Sequence, residues 1–149
     1  MSVLAVVQIV LVGLLAGEEF IVRWGVQPAL ATLPDEAHLR ARIALVQSLK
    51  VVVPILMVPT VLASVAVVVL AGTDDGFGAR MAGTVALVVF LLASFLGTVP
   101  INIGVNDWSP SEPPADWKRI VTRWERIDVL RSSAAGAAFV LFVVALVSG

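Results

Sequence analysis

A few ionisable residues stand at the edges of long apolar runs. Glu19 comes late in one run and precedes Arg23 by one helical turn, the favourable i,i+4 order for a helical ion pair. Asp128 and Arg131 are three residues apart and Trp124 precedes Asp128 by four, so a helix carries all three on one face. Ionisable groups within membrane spans are expensive and usually face a bundle interior or a water-filled cavity. Glu19 and Asp128 are therefore candidates for acid–base chemistry, with Arg131 as their charged partner. Asn102 and Asn106, one turn apart, add hydrogen-bonding groups, as do Gln27, Gln47 and Lys50 at a matching depth. Polar groups from several helices at one level suggest a pocket between facing helices. The plain alternative is a solvated interfacial rim, which Glu19 and Asn102 exceed by their depth. Glu18, turned about 100° from Glu19, is expected to face another neighbour or the headgroups.

The residue inventory narrows the chemistry. There is one histidine and no cysteine, which removes disulfide and thiolate chemistry and disfavours zinc, copper and haem sites. His38 sits among Asp35, Glu36 and Arg40 and reads as a solvated surface group. A carboxylate metal site from Glu19 and Asp128 is the one metal arrangement left open, and no cofactor is expected. Walker, dinucleotide and Gly-x-Ser-x-Gly motifs are missing. The net charge of −1 gives no reason to expect nucleic acid.

The elements that position these residues follow from hydropathy. The chain is 59% hydrophobic and 14% charged, with a mean hydropathy of +1.00. A soluble domain has about 25% charged residues, so here the surface itself must be apolar and face lipid. Four spans are expected, each near the 20 or so residues that cross a bilayer: about 3–26, 43–71, 81–103 and 129–147. The first reads as a retained helix, since no basic n-region or clear cleavage site marks a signal peptide. Pro28 and Pro34 break the chain after it, and Pro100 ends the third span. Pro54 and Pro59 fall inside the second, where a kink is expected in preference to a break. Gly72 to Gly78 is a turn, Asn106 to Trp117 a loop, and a polar helical stalk over about 115–128 leads into span four. The fold class is all-α, a single antiparallel four-helix membrane bundle. Gly13 with Gly17 and Ala134 with Ala138 form small-residue faces for close helix approach, within the chain or in a homo-oligomer.

Charge sets the expected orientation. Arg23, Arg40, Arg42 and Lys50 flank the first connection; Lys118, Arg119, Arg123, Arg126 and Arg131 flank the third; only Arg80 flanks the second. Basic residues concentrate on the cytoplasmic side, so connections one and three should be cytoplasmic and both termini outside the cell membrane. Trp24, Trp108, Trp117 and Trp124 fall at the same face, as interfacial aromatics do.

The segment AGEEFIVRWGVQPALATLP, a proline-containing second span, VPIN and W-x5-RWERIDVLR together resemble the anthrone oxygenase-like integral membrane family, over nearly the whole chain. Pro100-Ile101-Asn102 and the Arg123-Trp124…Arg131 helix are the most specific parts. The resemblance implies four spans. For some fungal members it implies conversion of anthrones to anthraquinones without metal or flavin. It points to Glu19, Asn102, Trp124 and Arg131 as site residues. Two positions depart from the family pattern: Gln27 and Asp128 stand where many relatives have histidine. If that second histidine is the base, Asp128 must replace it.

Two functions are carried forward. One is an oxygenase-like enzyme acting on a lipophilic aromatic substrate. It would use Asp128 as base, Glu19 and Arg131 to orient it, Asn102 as hydrogen-bond donor, and Asn106, Gln27, Trp124 and Arg23 around the substrate. The other is a non-enzymatic membrane module that binds a lipid or small hydrophobe, or assists a partner protein. Membrane lipids are the expected surroundings in both. A transporter is the weaker third reading, because no inverted repeat is visible.

Overall fold

The computed structural model describes residues 2–149. It contains four helices: α1 (Val3–Ala31), α2 (Asp35–Ala71), α3 (Phe77–Asn106) and α4 (Trp117–Ser148). Each is long and apolar enough to cross a membrane, and no strand occurs among the described residues. A helix satisfies its backbone hydrogen bonds internally, which lipid demands of any spanning segment. Only 22–33% of each apolar window is buried inside the bundle. The remainder, with Leu70 and Leu96 each 75% exposed, forms an apolar outer surface that suits hydrocarbon.

Helix α4 packs on both α3 and α1, α1 packs on α2, and α2 meets α3. The core is built from Val12, Leu15, Met57, Leu87, Phe90, Ala135, Ala138 and Phe142. Small residues set the spacing. A Cβ on Gly13 would come within 3.1 Å of the Phe139 ring, and one on Gly83 within 3.1 Å of Phe142. Ala134 and Ala138 are buried in the same bundle. Gly13, Ala134 and Ala138 are thus occupied by packing within the chain, whereas Gly17 has open space beside it.

Two helix ends differ from the sequence expectation. Helix α1 does not stop near residue 26, nor α3 at Pro100. Each runs on through its proline by way of a π-helical turn, Val22–Val26 in α1 and Ser94–Thr98 in α3. The Gln27 N–H bonds to the Val22 carbonyl and the Val99 N–H to the Ser94 carbonyl, both i→i−5. Pro28 and Pro100 follow directly. A proline has no N–H to give and its ring crowds the preceding turn. The widened turn accommodates both features, so the helix continues.

At the other boundaries, α2 begins at Asp35, ahead of the apolar span expected from about 43, and α3 begins at Phe77, inside the expected Gly72–Gly78 turn. Pro54 and Pro59 lie inside one continuous α2. Gly72, at φ 71°, turns the chain out of α2 in the left-handed region glycine favours. The stalk and span four form one helix, with Asp116 at its N-cap position. The Asp116 carboxylate accepts from Arg119 at 2.5 Å instead of capping the backbone.

Candidate functional site

Helices α1, α3 and α4 bring their polar groups together around Arg131, whose guanidinium is buried at 5% exposure. Its Nη2 donates to Glu19 Oε1 at 2.6 Å and its Nε to Ser94 Oγ at 2.9 Å. Its Nη1 lies 3.6 Å from Asp128 Oδ1, an ion pair one helical turn back along α4. Its Cζ stacks 5.2 Å from the Phe90 ring centroid. Ser94 belongs to the π-turn of α3 and also donates to the Phe90 carbonyl at 2.8 Å, so the widened turn places its hydroxyl under the arginine.

Above this group lies a cavity of about 330 Å³. Its polar lining includes Glu18, Glu19, Ser94, Thr98, Asn102, Asn106, Asp128, Arg131 and Lys50, and its apolar walls are Val53, Pro54, Met57, Phe95, Val99 and Ile103. Val22 also borders it, so both π-turns face the same space. Such turns recur at functional sites in helices. Trp124 forms part of the wall and donates from Nε1 to Asn102 Oδ1 at 2.9 Å. The carbonyl end of Asn102 is therefore occupied, leaving its amide N–H groups as the donors toward a ligand.

The hydrogen-bond balance of the cavity is one-sided. Both Asp128 carboxylate oxygens, Glu19 Oε2, Glu18 Oε2, Asn106 Oδ1 and Thr98 Oγ1 are buried with no hydrogen-bond partner among the described residues. Buried polar groups in native proteins nearly always have partners. The Glu19 carboxyl lies within hydrogen-bond reach of those of Glu18 and Asp128, so a shared proton pairs some of these oxygens and the site as a whole is short of donors. No group of three or more His, Asp or Glu side chains among the described residues is arranged to hold a metal ion.

Of the residues expected at the site, Asp128, Arg131, Glu19, Asn102, Asn106 and Trp124 border this cavity. Arg23 and Gln27 do not. The π-turn rotates Arg23 away from Glu19, so the expected i,i+4 pair is not made. Arg23 donates to Ser132 Oγ at 3.0 Å and Ser133 Oγ at 3.2 Å, and stacks on exposed Trp24 at 4.6 Å. Gln27 Oε1 accepts from Arg42 Nη2 at 2.9 Å. Glu18 was expected to face elsewhere and instead shares the cavity with Glu19. Gln47 is exposed.

A second polar cluster, missed in the sequence, backs the cavity wall. Arg42 is 2% exposed, and its guanidinium lies 5.3 Å from the Trp124 ring centroid without itself lining the cavity. Its Nε donates to His38 Nε2 at 3.1 Å. His38 is therefore buried and not a solvated surface group. It packs edge-on to Trp117, at 5.4 Å between centroids, where α4 begins against α2. Trp117 and Trp124 are likewise buried, while Trp24 keeps the exposed position of an interfacial aromatic.

Fold and site together define a multi-pass four-helix membrane protein with an ionic, ligand-sized cavity between its helices. The anthrone oxygenase family model matches residues 44–141, about two-thirds of the chain, and the protein belongs to that family. The match includes Asn102, Asn106, Trp124, Asp128 and Arg131, whereas Glu18 and Glu19 precede it. No curated protein and no solved structure matched the chain.

Proposed function

We propose that this protein is a membrane-embedded oxygenase of a lipophilic aromatic C–H acid, with Asp128 as general base. The observation that carries the reading is the pair of Asp128 oxygens, buried without a hydrogen bond and with only the Arg131 guanidinium 3.6 Å away, beside a cavity of about 330 Å³ with largely apolar walls. Ligand sites commonly occupy about 300–1,000 Å³ and combine apolar walls with a few placed polar groups. Asp128 would take a proton from an activated methylene of the substrate. Arg131, held by Glu19 and Ser94, would supply positive charge beside the anion that results, and the Asn102 amide would donate a hydrogen bond to its oxygen. Dioxygen would accept the electrons. One of its atoms becomes the new carbonyl oxygen, and the other leaves as water with the two methylene hydrogens. Substrate would reach the cavity from the lipid phase.

This polar end of the bundle is proposed to face the cytoplasm, as its concentration of exposed basic residues suggests. Arg42 and Arg131 do not contribute to that argument, because both are buried in the bundle.

The test is oxygen consumption by the purified, reconstituted protein with a hydroxylated anthrone. Turnover that depends on Asp128 supports the reading. A stoichiometric lipid in the cavity, with no oxygen consumed, favours a binding module instead.

A further inference from the structure

A second cavity, of about 380 Å³, lies at the other end of the bundle. Gln8 on α1 and Arg80 on α3 both border it, as do Leu4, Ile9, Leu70 and Phe142. Gln8 and Glu19 are 11 residues apart on α1, about 16 Å along a helix, so this space is separate from the Asp128 cavity.

Two of its buried donor atoms, one on Gln8 and one on Arg80, lack acceptors. Gln8 is 2% exposed, and its amide Nε2 has no hydrogen-bond partner among the described residues. Arg80 is almost as buried. Its Nη2 donates to the Gly72 carbonyl at 3.0 Å and to Asp74, and its Nη1 reaches Asp74 Oδ2 at 3.3 Å, which leaves Nε without a partner. Asp74 also accepts from the Gly76 N–H at 3.0 Å. The loop between α2 and α3 therefore holds the guanidinium in place and balances its charge. What remains is two buried donors without acceptors, on a lining that also carries Ser2, the Asp74 carboxylate and Gly149 beside the apolar Leu4, Ile9, Leu70 and Phe142; the carboxylate disfavours a free anion.

That combination suits a neutral acceptor carried by a lipophile better than a free anion. Gln8 sits in the second turn of α1 and Arg80 in the first turn of α3, near the ends of their spans, which suits the depth of acyl esters between headgroups and hydrocarbon. We propose that this cavity binds one acyl chain of a membrane glycerolipid, with its ester carbonyl accepting from Gln8 and Arg80.

The experiment uses the full-length protein, delipidated in detergent, with two phosphatidylcholine probes of equal chain length. One is a diester and the other a dialkyl ether that lacks carbonyls. Thermal unfolding and native mass spectrometry read binding. The expected result is one retained diester lipid per chain and a raised Tm, with binding of the ether weaker by about tenfold, the scale of one or two hydrogen bonds. Gln8→Leu should remove that preference while leaving the Asp128 cavity intact. Equal retention of ester and ether overturns the proposal, as does retention of neither. A rise in Tm with inorganic phosphate alone also overturns it, because the site would then be an anion site. Should Gln8→Leu fail to fold, the ester–ether comparison on the unaltered protein still decides. None of these outcomes depends on oxygenase activity.

Discussion

Arg131 Nη2 lies 2.6 Å from Glu19 Oε1, across 112 residues of sequence. This contact joins α4 to α1, and the Ser94 hydroxyl brings in α3. Buried ion pairs seldom add net stability, because desolvation offsets the attraction. A buried arginine facing Glu19 and Asp128 beside a cavity is better understood as a fixed positive charge available to a ligand. Losing that charge has a large cost, because the carboxylates are then left without it.

Arg131→Met should therefore destabilise the protein by about 3–5 kcal/mol, the range for breaking a buried pair. A combined Glu19→Leu, Arg131→Leu variant should lose less than the sum of its single changes, since the partners interact directly. Chemical unfolding in detergent measures both. Additive losses would show that the contact is not energetically coupled.

Trp124→Phe keeps a ring beside Arg42 and deletes the N–H that holds Asn102. A loss of about 0.5–1.5 kcal/mol is expected, the value of one hydrogen bond, with weaker substrate binding as Asn102 becomes free to turn. Unfolding curves and KM check the two effects separately. An unchanged KM would remove Asn102 from the proposed substrate contacts.

At the opposite end, the hydrogen bond from Arg80 holds the Asp74 carboxyl below the usual carboxylate range. A depressed folded pKa means that the contribution to stability is present above the unfolded value, about 3.9, and is lost as pH falls through the folded value. Asp74→Asn should flatten the stability profile below about pH 4. Tm against pH for both proteins reads this, and identical acid limbs would contradict it.

The absence of cysteine makes topology directly testable. A cysteine at Ser111, in the α3–α4 connection, should be shielded from impermeant maleimide in intact cells, and one at Asp75 should be labelled. The reverse pattern would invert the proposed orientation.

Sequence periodicity was sufficient for the four helices, because apolar runs of this length have few other uses. It also placed Asp128, Arg131 and Trp124 on one face, since α4 is regular there. Reasoning from ideal α-helical spacing failed at Glu19–Arg23, where the π-turn changes the rotation per residue. A signal was present: Gly25-x-x-Pro28 and Gly97-x-x-Pro100 repeat the same spacing at corresponding places in α1 and α3. Local spacing could not reveal that Glu19 pairs with Arg131, because that contact depends on which helices become neighbours. His38 and Arg42 looked like interfacial charge for the same reason. Their burial comes from Trp117 and Trp124 on a distant segment.

The central claim is that Asp128 removes the substrate proton, and its most direct test is the rate of anthrone-dependent oxygen consumption by Asp128→Asn in reconstituted membranes. The substitution keeps the side chain's size and removes its basicity. The account predicts a fall in kcat of about 10²–10⁴-fold, the usual contribution of a general base, with the protein still folded and KM little changed. Full turnover by Asp128→Asn would contradict it.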